Sequence, residues 1–157
     1  MSVVILDANA IIVHGQSFSD RARTAVTDGT TLVLPQSVKR ELVDDVLETE
    51  ETARNHRASA RAIQNLVDDG VLVLRSPDFE TYGSVIDEAR RRLADDTLPE
   101  HGVKADQYIP ALVCELAREK EVLLVTADRK LRSLVRDITT RREVDDNVSL
   151  REPPTVL

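Results

Sequence analysis

Four short runs of aliphatic and β-branched residues set the frame of this chain: Val3–Leu6, Thr31–Leu34, Val71–Leu74 and Val122–Val125. A strand with one wet face alternates apolar and polar side chains. These runs do not alternate, so both of their faces must be covered. The stretches between them carry apolar residues at helical spacing. The first helix is expected from Ser19 to Thr27, with Ser19 or Asp20 as its cap and Gly29 as its stop. Another begins after Pro35, capped by Ser37, and reaches Leu47. A third covers Thr49–Asp69 and closes at Gly70, and a fourth opens at Pro77 and carries Val85, Ile86, Ala89 and Leu93. Thr97–Val103 reads as a loop. Asp106–Glu119 and Asp128–Arg136 are the last two helices, and Asn147–Leu150 is a candidate fifth strand. Doubly covered strands separated by helices give an α/β/α sandwich, three layers around a central parallel sheet of about five strands. Right-handed crossovers bring the C-terminal end of every strand to one edge, and ligands bind beyond that edge where the strand order reverses.

Length and composition narrow the class. The 157 residues suit one domain, taken here as residues 1–150 with a C-terminal tail over 151–157. A hydrophobic content of 41% is too high for a disordered chain. Cys114 is the only cysteine, which excludes an intramolecular disulfide and a disulfide scaffold; a position in a helical core is expected for it. No apolar run exceeds four residues, against about 20 for a membrane helix. Asp7 interrupts the apolar N-terminus, and no basic stretch precedes it, so a signal peptide is not expected and the cytoplasm is. The five glycines stand singly, without a phosphate-binding fingerprint. The formal net charge of −7 argues against loose nucleic-acid binding by bulk electrostatics.

Acidic residues near strand ends are the ones to follow. Asp7 comes directly after the first run, and Asp128 follows the fourth with two residues, Thr126 and Ala127, between. Glu41 lies about one turn into the helix after the second, and Asp106 opens the helix before the fourth. Most of the 28 acids must be solvated surface, and Asp106 or Asp128 would serve simply as a helix cap. Asp7 is harder to dismiss, because it sits between Val3–Leu6 and the apolar Ala10–Val13, where a buried charge is costly unless paired or ligated. All four can reach the same sheet edge. Two like charges at 4 Å repel by roughly 4 kcal/mol at an effective dielectric of 20, so converging carboxylates need a cation. An all-oxygen set suits Mg²⁺ or Mn²⁺ and disfavours zinc. His14, His56 and His101 match no metal motif, and surface or structural roles are expected for them.

Four fragments together resemble the PIN-domain ribonucleases. They are Leu6-Asp7-Ala8-Asn9, Leu34-Pro35-Gln36-Ser37-Val38-Lys39-Arg40-Glu41, Ala105-Asp106 and Leu124-Val125-Thr126-Ala127-Asp128-Arg129. Their order and type match the family's four acids. The resemblance implies strand order 3-2-1-4-5 and a metal-dependent ribonuclease using one or two ions. It implies Asp7, Glu41, Asp106 and Asp128 as catalytic metal ligands, Asn9 to orient Asp7, and Thr126 to support Asp128 or touch metal-bound water. Pro110 departs from the pattern: lacking an N–H, it makes the helix begin close to Asp106 or kink. Small members of the family include toxins of VapBC-type toxin–antitoxin pairs, which dimerise, and RNA-processing enzymes. An antitoxin partner, a homodimer and no membrane are the corresponding expectations.

The reaction expected is in-line hydrolysis of an RNA phosphodiester without a covalent intermediate. Arg129, Arg132 and Arg136, with Lys130 beside them, recur after Asp128 and form a candidate phosphate-binding face, or else a solvated one. Arg90-Arg91-Arg92 cannot all point one way on a helix and read as surface charge. The two Tyr and two Phe suggest little base stacking. Two other classes compete: a catalytically silent PIN-like RNA-binding or assembly module, and a phosphotransfer enzyme using Asp7 as nucleophile. Dehalogenase-like phosphatases carry a second Asp two residues after the first; here that position is Asn9.

Seventeen of the 21 basic residues are Arg and only four are Lys, beside 28 acids, a balance that suggests adaptation to high salt. The thermal midpoint is then expected to rise with KCl into the molar range; a flat or falling profile would remove the idea.

Overall fold

The computed structural model describes residues 2–49, 54–94, 105–154 and 156–157. Its centre is a five-stranded, all-parallel sheet of β1 (Ser2–Leu6), β2 (Leu32–Pro35), β3 (Leu72–Arg75), β4 (Glu121–Val125) and β5 (Val148–Arg151). The spatial order is β3-β2-β1-β4-β5, as the resemblance implied. Successive strand residues point to opposite faces. Val3, Val4, Ile5 and Leu6 are nonetheless all buried, so helices cover β1 on both sides. The absence of alternation in the sequence reported that double burial.

The helices are α1 (Ala8–Ile12), α2 (Phe18–Thr27), α3 (Gln36–Lys39), α4 (Asp45–Glu48), α5 (Arg54–Asp68), α6 (Gly83–Leu93), α7 (Ile109–Ala117) and α8 (Arg129–Arg141). α6, α7 and α8 pack on one another, while α5 packs on α2 and α4. α7 is the most apolar helix, with Ile109, Leu112, Val113 and Cys114 all buried. Among the described residues, no helix is long and apolar enough to cross a membrane.

Several boundaries differ from those read in the sequence. α1 was not anticipated. α2 begins at Phe18 behind a 3₁₀ turn over Gly15–Ser17, with no side-chain cap from Ser19 or Asp20. Gly29 does adopt a positive φ of 100° at the far end. Ser37 does not cap its helix, which starts one residue earlier at Gln36. Pro77 lies six residues before α6: the Asp78 carboxylate accepts the N–H groups of Glu80 and Thr81, holding a turn instead. α8 runs to Arg141, well past Arg136. The loop expected over Thr97–Val103 and the residue His101 lie outside the described residues.

The arginine run on α6 is more than surface charge. Arg90 donates to Gln107, and Arg92 pairs with Glu88 and, at 2.6 Å, with Asp137 of α8. Arg141 grips Glu88 with both terminal nitrogens at 2.9 and 2.7 Å. That grip, with Arg92 behind it, pulls the Glu88 carboxyl down to about 2. Exposed pairs of this kind contribute about 0–1 kcal/mol each, so they set helix register more than stability. Stability resides in the sheet. Leu124→Ala in β4, at a fully buried position, is expected to cost roughly 2–5 kcal/mol. Urea unfolding would show a lower midpoint at unchanged slope.

Candidate active site

β1 and β4 pair in parallel from Ser2 opposite Glu121 to Leu6 opposite Val125. The two strands therefore end level, and the residues just beyond them meet. Asp7 is only 3% exposed there, and its main-chain N–H donates to the Val125 carbonyl at 3.4 Å. Its carboxylate also caps α1, with Oδ1 accepting the Ala10 N–H at 2.8 Å. An Asp followed at once by a short apolar stretch is the N-cap signal that would have found α1 in the sequence.

Thr126, wholly buried, joins the acids of the two strands. Its hydroxyl donates to the Asp7 carboxylate and accepts the Asp128 N–H at 3.1 Å. One proton and two lone pairs allow both roles at once. Asp128 caps α8: its Oδ1 accepts from Lys130 and Leu131 at 2.9 and 3.1 Å. Asn9 meets Asp7 through its main-chain N–H.

The other two acids come from interrupted helices. Asp106 starts a 3₁₀ turn over Asp106–Tyr108 that passes directly into α7. Pro110 sits in the first turn of α7, where no N–H is needed, so no kink is required. Both neighbours of Asp106 are tied: Ser37 Oγ donates to the Ala105 carbonyl at 2.9 Å, and Arg90 Nε donates to Gln107 Oε1 at 2.8 Å. Glu41 lies in a π-helical turn, Arg40–Asp44, between α3 and α4. Such a turn shifts the phase of a helix and commonly marks a functional site. The Lys39–Asp44 ion pair at 2.6 Å spans it.

Asp7, Glu41, Asp106 and Asp128 all line one open crevice of about 690 Å³, with Asn9 and Arg40 on its wall. The carboxylates feel one another. Burial, then Asp7, Asp128 and Glu41, push the Asp106 carboxyl up to about 7. Burial also raises Asp7, with Asp128 adding to it against the hydrogen bonds from Thr126, Ala10 and Asn9. Glu41 is raised by burial, then by Asp45 and Asp7. Among the described residues, no three His, Cys, Asp or Glu side chains stand close enough together to form a ready-made ligand shell. The acids stand on the crevice walls. As a donor set, four carboxylates with no histidine or thiol fit a hard divalent cation.

The arginines divide differently from the sequence expectation. Arg132 is half-buried and already engaged, donating to the Thr126 carbonyl at 2.8 Å and pairing with Glu152 at 2.9 Å. Arg129 is exposed at the start of α8, and Arg136 lies two turns on, roughly 10 Å along the axis. None of the three lines the crevice; Arg40 does. Arg40 directly precedes Glu41 in the sequence, but only the fold shows that it lines the crevice. Cys114 is buried in α7, as expected, and burial pushes its thiol up to about 11.

A family model described as the Halobacterial PIN domain matches residues 1–157. The chain belongs to the PIN-domain family. No curated protein matches it. Among solved structures, the chain is similar to VapBC2 from Rickettsia felis, crystallised bound to a DNA fragment from the promoter of that pair. The two share 14% identity over 97% of this chain and 98% of the other, with a TM-score of 0.51. At that identity the likeness speaks for the PIN-like α/β fold.

The acids of this PIN domain make its stability depend on pH. Asp106 keeps its proton in the folded state to about pH 7, whereas in the unfolded chain it ionises near its ordinary 3.8. Between those values the folded state holds more protons, so stability falls as pH rises through the window. Without metal, Asp106→Asn is expected to melt higher than the wild type at pH 8, by on the order of 1–2 kcal/mol or roughly 2–8 °C. The gain should shrink towards pH 4. Thermal melts in chelator across that range decide it; an equal or lower midpoint at pH 8 would show that Asp106 ionises without penalty.

Proposed function

We propose that this PIN domain is a divalent-metal-dependent endoribonuclease. The observation that carries the reading is the convergence of four carboxylates, one of them buried, on a single open crevice at the point where the strand order reverses. Asp7, Glu41, Asp106 and Asp128 would hold one or two Mg²⁺ or Mn²⁺ ions. Bound there, such a cation supplies Lewis-acid polarisation of a phosphodiester and a more acidic water. Water adds to phosphorus as the bond to the leaving oxygen breaks. The chain's own part is positional. Thr126 fixes Asp7 and Asp128 to each other, the two helix caps fix one oxygen of each, and Arg40 offers positive charge to an incoming phosphate. Asn9 in place of a second Asp disfavours the phosphotransfer alternative.

Within this reading, a toxin paired with an antitoxin is favoured over an RNA-processing enzyme by one surface. Ile11, Ile12, Phe18, Leu42, Val46 and Ile63 help line an apolar cavity of about 570 Å³, and Ile12 is 59% exposed beside it. A hydrophobic segment of a partner protein fits such a surface. The cytoplasm, a homodimer and adaptation to high salt belong to the same reading. A short open reading frame with a DNA-binding motif beside the gene would support the toxin role.

Asp7→Asn is expected to fold but to lose Mn²⁺-dependent RNA cleavage by at least about a hundredfold. Gel assays on structured RNAs, with calorimetric titration of Mn²⁺, test both halves of the reading. Full activity in Asp7→Asn would refute the ligand assignment, and a wild type that binds no Mn²⁺ would point to the silent module.

A further inference from the structure

A second groove opens beside the acidic crevice, at the C-terminal ends of β2 and β3. It shares Ser37, Arg40 and Tyr108 with the crevice wall and continues to Arg75, Pro77 and Phe79. Phe79 is 58% exposed, and its ring meets Tyr108 edge-on, with centroids 5.6 Å apart and planes at 77°. The chain has only four aromatic side chains of Phe, Tyr or Trp type, and two of them pair here. Scarcity argued against base stacking; placement argues for it.

The platform is held in place. Asp78 ties the turn through Glu80 and Thr81, and its own N–H donates to Glu115 of α7 at 3.1 Å. Pro77 beside it is buried. The Phe79 ring therefore projects from a fixed loop. Arg40 and Arg75 flank the groove, and both are exposed without an ion pair among the described residues. At about 70 Å³ the groove is too shallow to enclose a ligand. It suits a planar ring laid on the open face of Phe79, with anionic groups on either side. In a duplex the base faces are stacked on each other and cannot reach such a platform.

We infer that this groove is a subsite for an unpaired nucleobase of the RNA strand, next to the phosphate to be cut. The base stacks on Phe79, Tyr108 braces that ring from the side, and Arg40 and Arg75 take the flanking phosphates. The inference rests on the nuclease reading for its biological meaning, but its binding test does not require cleavage.

Phe79→Trp installs the sole tryptophan of a chain that has none. Titration of this variant with a short single-stranded RNA, with Ca²⁺ as the only divalent cation, should quench its fluorescence saturably. A duplex of the same sequence, or an abasic strand of the same length, should quench weakly. Phe79→Ala should weaken binding of the labelled single strand roughly 5- to 100-fold, leave the abasic strand unaffected, and keep the wild-type thermal midpoint. Absence of quenching, equal quenching by the abasic strand, or wild-type affinity in Phe79→Ala would overturn the subsite. Quenching in a protein that cuts no RNA with Mn²⁺ would keep the subsite and remove the nuclease. Mn²⁺-dependent cleavage by a Phe79→Trp variant whose fluorescence RNA never quenches would do the reverse.

Discussion

The in-register parallel pairing of β1 with β4 is the constraint on which the rest depends. Five residue pairs, from Ser2 opposite Glu121 to Leu6 opposite Val125, bring the strand ends level. Asp7 then stands beside Thr126, and Thr126 reaches both Asp7 and Asp128. A slip of one residue would turn every β1 side chain to the opposite face, sending the run Val3–Leu6 out of register with its covering helices. Burial on both faces forbids the slip. The same apolar packing that holds the sheet thus fixes two carboxylates at its switch point.

Carboxylates brought together without a counter-charge raise the free energy of the fold, and the protein limits that cost by giving them second duties. Asp7 and Asp128 each cap a helix through one oxygen, a role that contributes about 1 kcal/mol. Asp106 and Glu41 have no such cap. They enter on a 3₁₀ turn and a π turn, positions where the regular helix is already broken. Asp106 senses all three of the others, and its carboxyl is pushed up to about 7.

The parallel sheet was legible because double burial removes alternation from its strands, whereas its order came only with the family resemblance. Asp7, Asp106 and Asp128 stood out because each sits at a boundary between periodic segments, and Glu41 because it lies about one turn beyond a strand end. The short helix after Asp7 was not, since five residues are too few to show a 3.6 period. The π turn around Glu41 was equally silent, because its one extra residue per turn leaves no compositional mark. The arginines misled for a different reason. Spacing on α8 places Arg132 on a face, but only tertiary structure shows that the Thr126 carbonyl and Glu152 already occupy it. The Phe79–Tyr108 pair joins residues from separate segments, which no local pattern can reveal.

The position of β4 in the sheet has a bearing on synthesis. β1 is made before the other four strands, yet its neighbour on one side is the fourth strand, paired at residues 121 to 125. The Ser37–Ala105 bond likewise spans 68 positions. Contacts so distant along the chain form late and only after the intervening segments are in place. An emerging N-terminal portion carries Asp7 and Glu41 but lacks the strand and helix that would complete their crevice. Whatever chemistry the acids support is thereby withheld until β4 and the start of α8 have left the ribosome.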